Sequence, residues 1–395
     1  MLTPEYLQEI EDRIVEISSE LERKVIAQIV KRLTARMIES EDLVFTGYDK
    51  WQMSVLEDSG TLYSDVVKII SKYTGYGTSE IVRAMQDAGI EAIRGDSEEL
   101  YQAGIDAEKL FPGFGPIDVD NLTEASLFLL QRSSYCIRAF QRAFEVTNGE
   151  WLNFTRTEAF TSVQEFVQAM DRAYFKAISG AVSYSKALSE EIDRLAKQGI
   201  KIVTNPETMH RDYIDVASAR CLRTGISQMS GDITINRSDE LGLDLVLVSA
   251  HFGARPDHEK WQGKVYSRSG ESDKYDDFVS STGFGTGEGL CGWNCRHNFR
   301  PFIEGMRNPY EDNPIDTEES NKRYEAEQES RRIERTIRAM KREIEALKPV
   351  YNATKDTKIV ERLKQLREKL KELNVQYIAH CEQYDLRPLM ERLKA

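Results

Sequence analysis

The sequence predicts a mainly α-helical protein that carries one small α+β domain, and three observations lead to this prediction. Over most of the chain, apolar residues recur at steps of three and four, the period of a helix that buries one face. Charged residues make up 30% and hydrophobic residues 40% of the 395 residues, a balance that suits long helices with solvated outer faces. Before the last quarter of the chain, β-branched runs separated by glycines replace the helical pattern.

Residues 1–200 are predicted to form a helical N-terminal region. Its first helix is predicted over about 1–40, because apolar residues there recur in alternating steps of three and four. These residues are Leu7, Ile10, Ile14, Ile17 and Leu21. Residues 40–120 are expected to alternate short helices with glycine-bearing turns, and longer helices are expected over 121–147 and 157–198.

Residues 201–305 are predicted to form a compact domain that carries cysteines and histidines. The NPE tripeptide at 205–207 suits the start of a helix that would run to about Met229. Beyond it, LDLVLVSA at 243–250 and GKVYS at 263–267 predict strands. The domain is therefore expected to combine a helix with a small sheet.

A polar linker over 306–320 leads to a C-terminal helical region, 321–395. Two stretches of this region carry heptad-like apolar stripes, and the sequence KPVYNATKD separates them. The first stripe is Ile333, Ile337, Met340, Ile344 and Leu347, and the second is Ile359, Leu363, Leu366, Leu370 and Leu373. Two matched stripes joined by a proline-containing turn predict an antiparallel helical hairpin, whose seam closes on itself or docks onto a partner helix.

Charge and composition disfavour several classes of function. The net charge is −13 and the isoelectric point is near 5.2, whereas proteins that mainly bind nucleic acid or anionic membranes are usually basic. No apolar run approaches the ~20 residues that span a bilayer, and the acidic N-terminus lacks the apolar core of a signal peptide. We therefore expect synthesis in a cytoplasm, with the five cysteines as reduced thiols.

The segment GFGTGEGLCGWNCRHNF at 283–299, here named the glycine-rich segment, is dense in glycine, cysteine, tryptophan and histidine. Its alternating glycines resemble a loose nucleotide-binding loop. Such a loop presents its amides at a helix N-terminus, or carries a lysine and a serine or threonine for phosphate and metal. Neither feature follows here, so the segment does not indicate nucleotide binding.

The cysteines and histidines of this region are candidate metal ligands. Cys291, Cys295 and His297 lie close together, and His251 and His258 precede them in HFGARPDH. Thiolate and imidazole are ligands that zinc prefers, and four of them complete a tetrahedral structural site. Five candidates compete for four positions. The alternative is that the cysteines are small buried hydrophobes and the histidines make hydrogen bonds in a tight core.

A catalytic site is a further hypothesis for the same residues. One of the histidines would act as a base and Cys291 or Cys295 as a nucleophile, with Asp257 or Glu288 as an orienting carboxylate. The spacing does not establish that these groups touch, and isolated histidines and cysteines in a glycine-rich loop are more often structural. No catalytic residue is therefore assigned. Trp261 and Trp293 are expected to anchor the core.

Two long segments of this domain, SAHFGARPDHEKWQGKVYSRSG and GFGTGEGLCGWNCRHNFRPFIEG, resemble the minor capsid protein 2 family of tailed bacteriophages. The resemblance extends to EIVRAMQDAGIEAI, HRDYIDVASARCLRTG and YEAEQESRRIERTIRAMKREIEAL, and so covers nearly the whole chain. More distantly, the chain is similar to phage head-morphogenesis proteins. In those proteins a Cys-Pro-Asp-Cys element precedes a Gly-Lys-Val strand, and a later element ends in Cys-x-Cys.

The distant resemblance implies where a structural zinc ion would bind. His258 of RPDH and the Cys295 and His297 of CRH fall on ligand positions, whereas Arg255 stands where those proteins carry a cysteine. Another residue would have to replace that missing ligand. The expected ligand set is His258, Cys291, Cys295 and His297, with His251 as an alternative.

The family resemblance implies a structural minor protein of the phage head that is present in few copies, lies near the portal vertex and assists head assembly. Its expected partners are the portal protein, the major capsid protein and packaged DNA, with self-association through the heptad stripes and no membrane contact. The alternative is a metal-dependent hydrolase or toxin-like effector carried in the virion, which needs a catalytic zinc with an open position. A third hypothesis is a helical assembly adaptor whose small domain is only a spacer.

Overall fold

The computed structural model describes residues 1–38 and 47–394, and most of them are helical. The helices are α1 (Pro4–Glu9), α2 (Asp12–Ile38), α3 (Tyr48–Gln102), α4 (Ala107–Leu110), α5 (Leu122–Arg132), α6 (Ser134–Ile178), α7 (Tyr184–Gln198), α8 (Ile214–Leu241), α9 (Phe278–Thr282), α10 (Pro309–Asp312), α11 (Thr317–Thr354), α12 (Thr357–Gln383) and α13 (Met390–Lys394). The strands are β1 (Ile202–Asn205), β2 (His210–Asp212), β3 (Leu245–Val248), β4 (Val265–Ser267) and β5 (Phe299–Phe302). The predicted fold class, mainly α with a small α+β part, is confirmed. Within these ranges, no helix combines the length and apolar character needed to cross a membrane.

The chain divides into two compact units, and each unit is assembled from three separate stretches. The first unit comprises Met1–Asp12, Thr78–Glu150 and Ala219–Gln328. The second unit comprises Arg13–Gly77, Trp151–Ser218 and Glu329–Ala395. Every boundary between these stretches falls inside a helix. The domain boundaries predicted from the sequence, near residues 200, 305 and 320, stay predictions.

Helix α3 is one helix of 55 residues, so the short helices and turns predicted between 48 and 102 are wrong; residues 39–46 lie outside the described part. The glycines that suggested turns lie inside this helix. A Cβ at Gly77 would lie 2.3 Å from the ring of Trp151, a buried side chain whose Nε1 donates to the Thr74 carbonyl at 3.0 Å. Gly77 thus lets two helices approach closely, and this packing outweighs the low helix propensity of glycine.

Two glycines of α3 provide a test of this close approach. Gly77→Ala is expected to lower the free energy of unfolding by about 1–3 kcal/mol, because the buried Trp151 ring has to move. Nothing lies within 4 Å of a Cβ added at Gly75, so Gly75→Ala should raise the free energy of unfolding by up to ~1 kcal/mol. Denaturant unfolding of both variants beside the wild type measures the two effects, and equal shifts would contradict the role given to Gly77.

The segment before α8 forms a hairpin, so the helix predicted from 205 to Met229 begins at the wrong place. Strands β1 and β2 pair antiparallel, and Asn205 Oδ1 accepts hydrogen bonds from the N–H groups of Glu207 and Thr208. An asparagine at a helix N-cap accepts the same kind of hydrogen bond. The residue type therefore does not distinguish a turn from a helix start. Met209, with a φ of 54°, then turns the chain into β2. Helix α8 starts only at Ile214.

The small sheet has the order β4-β3-β5, and both strand pairs are antiparallel. Strands β3 and β4 lie inside the two segments predicted as strands. The buried residues around this sheet form one core, which consists of Val246, Val248, Trp261, Tyr266, Phe278, Leu290, Cys291, Cys295 and Phe299. The glycine-rich segment supplies the last residues of this set, so it is part of the core of the first unit.

Helices α11 and α12 pack against each other as an antiparallel pair. Ile333 and Ile337 of α11 share a core with Tyr377 and Cys381 of α12. A second core at the other end of the pair joins Ile344, Leu347 and Leu363. Pro349 lies inside α11, and the turn comes later, at Lys355, which has a φ of 53°. The stripes therefore meet within one chain.

Candidate metal centre

The glycine-rich segment folds back on its own backbone. Gly283 ends α9 in a left-handed conformation with a φ of 66°. The Trp293 N–H donates to the Gly287 carbonyl at 2.6 Å. A Cβ at Gly289 would lie 2.0 Å from the Gly283 carbonyl oxygen, and one at Gly292 would lie 2.4 Å from the Gly287 carbonyl oxygen. Gly289 and Gly292 thus lie where backbone meets backbone, a reason for glycine that involves no phosphate ligand.

Three of the predicted ligands come together at the end of this segment. The candidate ligand atoms of His258, Cys295 and His297 all lie within 4.8 Å of one another, and all three residues are buried. Cys295 and His297 lie in the stretch that leads into β5, whereas His258 is placed by a turn in which its N–H donates to the Arg255 carbonyl at 2.8 Å. We name these three residues the His/Cys cluster. Because one ion could contact all three, the cluster could hold a metal.

Hydrogen bonds determine which nitrogen of His297 faces the cluster. The backbone N–H of His251 donates to Oε1 of Gln262 at 3.2 Å, and Nε2 of His297 lies 3.0 Å from the same oxygen. Because that oxygen only accepts, Nε2 carries the proton. In the neutral ring Nδ1 is then unprotonated and offers a lone pair. Nδ1 lies 3.7 Å from Cys295 Sγ. Gln262 therefore orients the ring in the way that outer hydrogen bonds orient metal-binding histidines.

Burial keeps the cluster in its uncharged form. It lowers the pKa of His258 to about 4, with a further contribution from Arg255. It also lowers the pKa of His297 well below its ordinary value, with a further contribution from His251, and it raises the pKa of the Cys295 thiol. The neutral imidazoles offer lone pairs at neutral pH. Cys295 would have to lose its proton to bind a metal, so metal affinity is expected to rise with pH.

Arg255 occupies the place where the distant resemblance implies a cysteine ligand. Its Nη2 lies 2.5 Å from His258 Nε2 and 3.5 Å from the Glu288 carbonyl oxygen. A guanidinium has only donors, so Arg255 donates to Nε2 and competes with a metal for that lone pair. Its Nε also lies 3.4 Å from Asp257 Oδ1, and its side chain is partly exposed. A metal at Nε2 therefore requires the guanidinium to turn towards solvent and Asp257.

The remaining two candidate ligands lie beside the cluster without joining it. Cys291 has a φ of 61°, and its Sγ lies 3.7 Å from the His297 carbonyl oxygen, which Cys295 Sγ approaches at 3.7 Å as well. The ring of His251 packs against that of His297 with centroids 4.4 Å apart, and its Nδ1 lies 2.9 Å from the Phe252 carbonyl oxygen. Among the described residues, the group within 4.8 Å consists of three donors, one fewer than a closed structural zinc site uses.

The carboxylates considered as catalytic partners are not assembled with the cluster. Asp257 is exposed, and its Oδ2 lies 3.9 Å from His258 Nε2. Glu288 directs its carbonyl oxygen to His258 at 3.3 Å, while its side chain is exposed. Both thiols considered as nucleophiles are buried, and burial raises their pKa values. The geometry therefore favours a structural site over a catalytic one.

The two tryptophans of this region differ in their surroundings. Trp261 is buried beside His258, with ring centroids 4.6 Å apart, as expected for a core anchor. Trp293 is 56% exposed, so its prediction as a core anchor is wrong. Its indole covers the loop backbone instead, since a Cβ at Gly287 would lie 2.8 Å from it. Gln262 is the positioning residue that sequence reasoning missed, because ligand spacing does not mark an outer hydrogen-bond partner.

Comparisons with known proteins agree on one class of protein. The family model described as Phage minor capsid protein 2 matches residues 2–374. The chain is also similar to a protein named "Structural protein" from Lactococcus phage LL-H, at 19% identity over 322 residues, which cover 80% of this chain and 82% of that protein. No solved structure matches the chain.

Proposed function

Because the chain belongs to the Phage minor capsid protein 2 family, we propose that this structural minor capsid protein acts at the portal vertex and assists assembly of the phage head. The match of the family model from residue 2 to residue 374 carries this proposal, since it covers most of both compact units. The similarity to the phage LL-H structural protein supports a structural role over 80% of the chain. The proposed partners are the portal protein and the major capsid protein. Self-association through the heptad stripes is less favoured, because the stripes already pack together within one chain.

The portal position is tested by labelling purified heads. Antibody against this protein, coupled to gold, is expected to mark a single vertex of mature and immature heads in electron micrographs. Labelling spread over the whole shell would contradict the portal position while keeping the capsid role. Absence from both kinds of head would contradict the proposed function itself.

We also propose that the His/Cys cluster holds a structural zinc ion. Its ligands would be His258, Cys295 and His297, and Cys291 would be the fourth, since its sulfur and that of Cys295 approach the same carbonyl oxygen. His251 is the alternative fourth ligand, because its ring lies against that of His297. The orientation of the His297 ring, which directs Nδ1 to Cys295, supports the proposal. An ion at Nε2 of His258 would have to displace the guanidinium of Arg255. A bound zinc ion would tie the turn before β5 to the loop after β3.

Contact with packaged DNA is the remaining proposed interaction. The net charge of −13 means that such a contact needs a local basic surface, because the chain as a whole is repelled by phosphates.

A further inference from the structure

The second unit contains a pocket with a volume of about 330 Å³. Its walls come from α2, from the residues around the start of α8, and from one face of α11. All three walls belong to the same compact unit. The volume is at the lower end of the range for pockets that bind small ligands.

Arginine dominates the lining of this pocket. The arginines are Arg23, Arg332, Arg335, Arg338 and Arg342. The four on α11 follow one another at steps of three, three and four, so they lie along one face of the helix. The carboxylates in the lining are Glu22 and Asp215. Five arginines and two carboxylates therefore line the pocket, in a chain whose net charge is −13.

The two carboxylates are already engaged by arginines. Arg342 Nη1 donates to Glu22 Oε2 at 3.1 Å, and Arg338 Nε pairs with Asp215 Oδ2 at 2.9 Å. Outside the lining, Arg332 pairs with the half-buried Glu329 at 2.6 Å, and Arg338 forms an ion pair with Glu334. These pairs account for part of the arginine charge and for all of the acidic charge that lines the pocket.

Some of the lining arginines are incompletely paired within the described part of the chain. Arg335 is exposed, and it makes no ion pair or hydrogen bond with any described residue. Nε of Arg23 and Nε of Arg342 are buried without a hydrogen-bond acceptor among the described residues. Nη1 of Arg338 is buried too, with Glu334 Oε2 at 3.7 Å, an ion-pair contact beyond hydrogen-bond distance. Buried donors without acceptors are costly and uncommon, so the guanidinium groups around the pocket are incompletely satisfied by the described chain. These buried atoms are closed to the pocket, and a ligand would meet the exposed donors of the lining, those of Arg335 first.

We propose that this pocket binds a phosphate group, either as free phosphate or as part of a nucleic-acid backbone. Guanidinium groups match phosphate oxygens with paired hydrogen bonds. A phosphate carries up to two charges and more acceptor oxygens than a carboxylate, so it engages arginines from both α2 and α11 at once. An acidic peptide offers two oxygens at each side chain, so it meets fewer of the guanidinium donors at once. The proposal does not depend on where the protein lies in the head or on the metal centre.

Thermal unfolding of the full chain in inorganic phosphate tests the proposal, with chloride of equal ionic strength as the reference. We expect phosphate to raise the melting temperature of the wild type in a saturable way. Arg335→Gln and Arg23→Gln are each expected to weaken the apparent phosphate affinity about tenfold. These variants are preferred to Arg342→Gln, which would leave the buried Glu22 unpaired and could unfold the unit. Arg367→Gln is the control, since Arg367 is exposed on α12 and is not part of the lining.

A competition arm distinguishes the two sources of phosphate. Displacement of phosphate by a short duplex DNA oligonucleotide, with the same loss in Arg335→Gln, would assign the pocket to nucleic-acid backbone. Phosphate binding that DNA does not displace would assign it to the free anion. Phosphate stabilisation that is absent, or equal in Arg335→Gln and Arg367→Gln, would overturn the proposal. Stabilisation by a polyglutamate peptide but not by phosphate would also overturn it.

Discussion

Protein purified without chelator is expected to contain about one zinc ion per chain, and Cys295→Ala and His258→Ala are each expected to lose it. The reason is geometric, since the candidate ligand atoms of the cluster lie within 4.8 Å of one another and His297 already presents its free Nδ1 to Cys295. Structural zinc contributes directly to folding, so both variants should lose several kcal/mol of the free energy of unfolding. Zinc content is measured by elemental analysis and stability by denaturant unfolding.

A cysteine outside the cluster separates loss of metal from loss of packing. Cys136 is fully buried like Cys295 but lies elsewhere in the first unit. Cys136→Ala should retain zinc and lose only the packing of one small side chain. Cys291→Ala and His251→Ala identify the fourth ligand, because only the true ligand should lower zinc affinity strongly. Metal-free wild-type protein, with Cys295→Ala no less stable than Cys136→Ala, would leave the cluster as a packed turn.

Glu158→Gln is expected to stabilise the protein at neutral pH, and the gain should shrink as the pH is lowered. Glu158 lies fully buried in α6, and neither carboxylate oxygen has a hydrogen-bond partner among the described residues. Burial raises the pKa of Glu158 well above its ordinary value, and the nearby Glu22 and Asp215 raise it further, although Arg342 opposes them. The folded protein therefore holds a proton on Glu158 at a pH where the unfolded chain has released it.

The direction of this pH dependence follows from proton linkage. Because the pKa of Glu158 is raised in the folded protein, its charge costs no stability below the ordinary pKa of glutamate. The free energy of unfolding then falls as the pH rises from there towards the folded pKa. Each unit of separation between the two pKa values corresponds to about 1.4 kcal/mol. Glutamine keeps the shape and has no proton to lose, so Glu158→Gln should flatten the decline over the pH range above the ordinary pKa of glutamate. Unfolding measured across that range, with exposed Glu145→Gln on the same helix as control, tests this. A decline as steep as that of the wild type would contradict it.

The helical stripes and the short strands of this protein were predictable from the sequence, because both depend on local apolar periodicity. The hairpin of α11 and α12 is an example, since Ile333 and Leu363 belong to stripes that can be read without a structure. The interior of α3 was not predictable, because Gly77 matters through a tryptophan 74 positions away in the chain. A glycine needed for close packing and a glycine needed for a turn look the same in a single sequence.

The candidate metal centre was predictable only in part. His258, Cys295 and His297 were selected by residue type and resemblance, and they do come together. The separation of Cys291 from that group depends on its positive φ of 61°, and the orientation of His297 depends on Gln262. Neither property leaves a pattern in the sequence, because both arise from how the loop closes on itself.

The interleaving of the two compact units has a consequence for synthesis. The first unit needs the stretch that ends at Gln328 before its chain is complete, and the second needs the stretch that begins at Glu329. Neither unit can finish folding while a large part of the chain is still on the ribosome, and contacts between distant stretches slow folding further. Early intermediates would expose helix faces whose partners in the same unit are not yet synthesised. Cutting the gene into contiguous halves would therefore give fragments that each lack essential parts of both units.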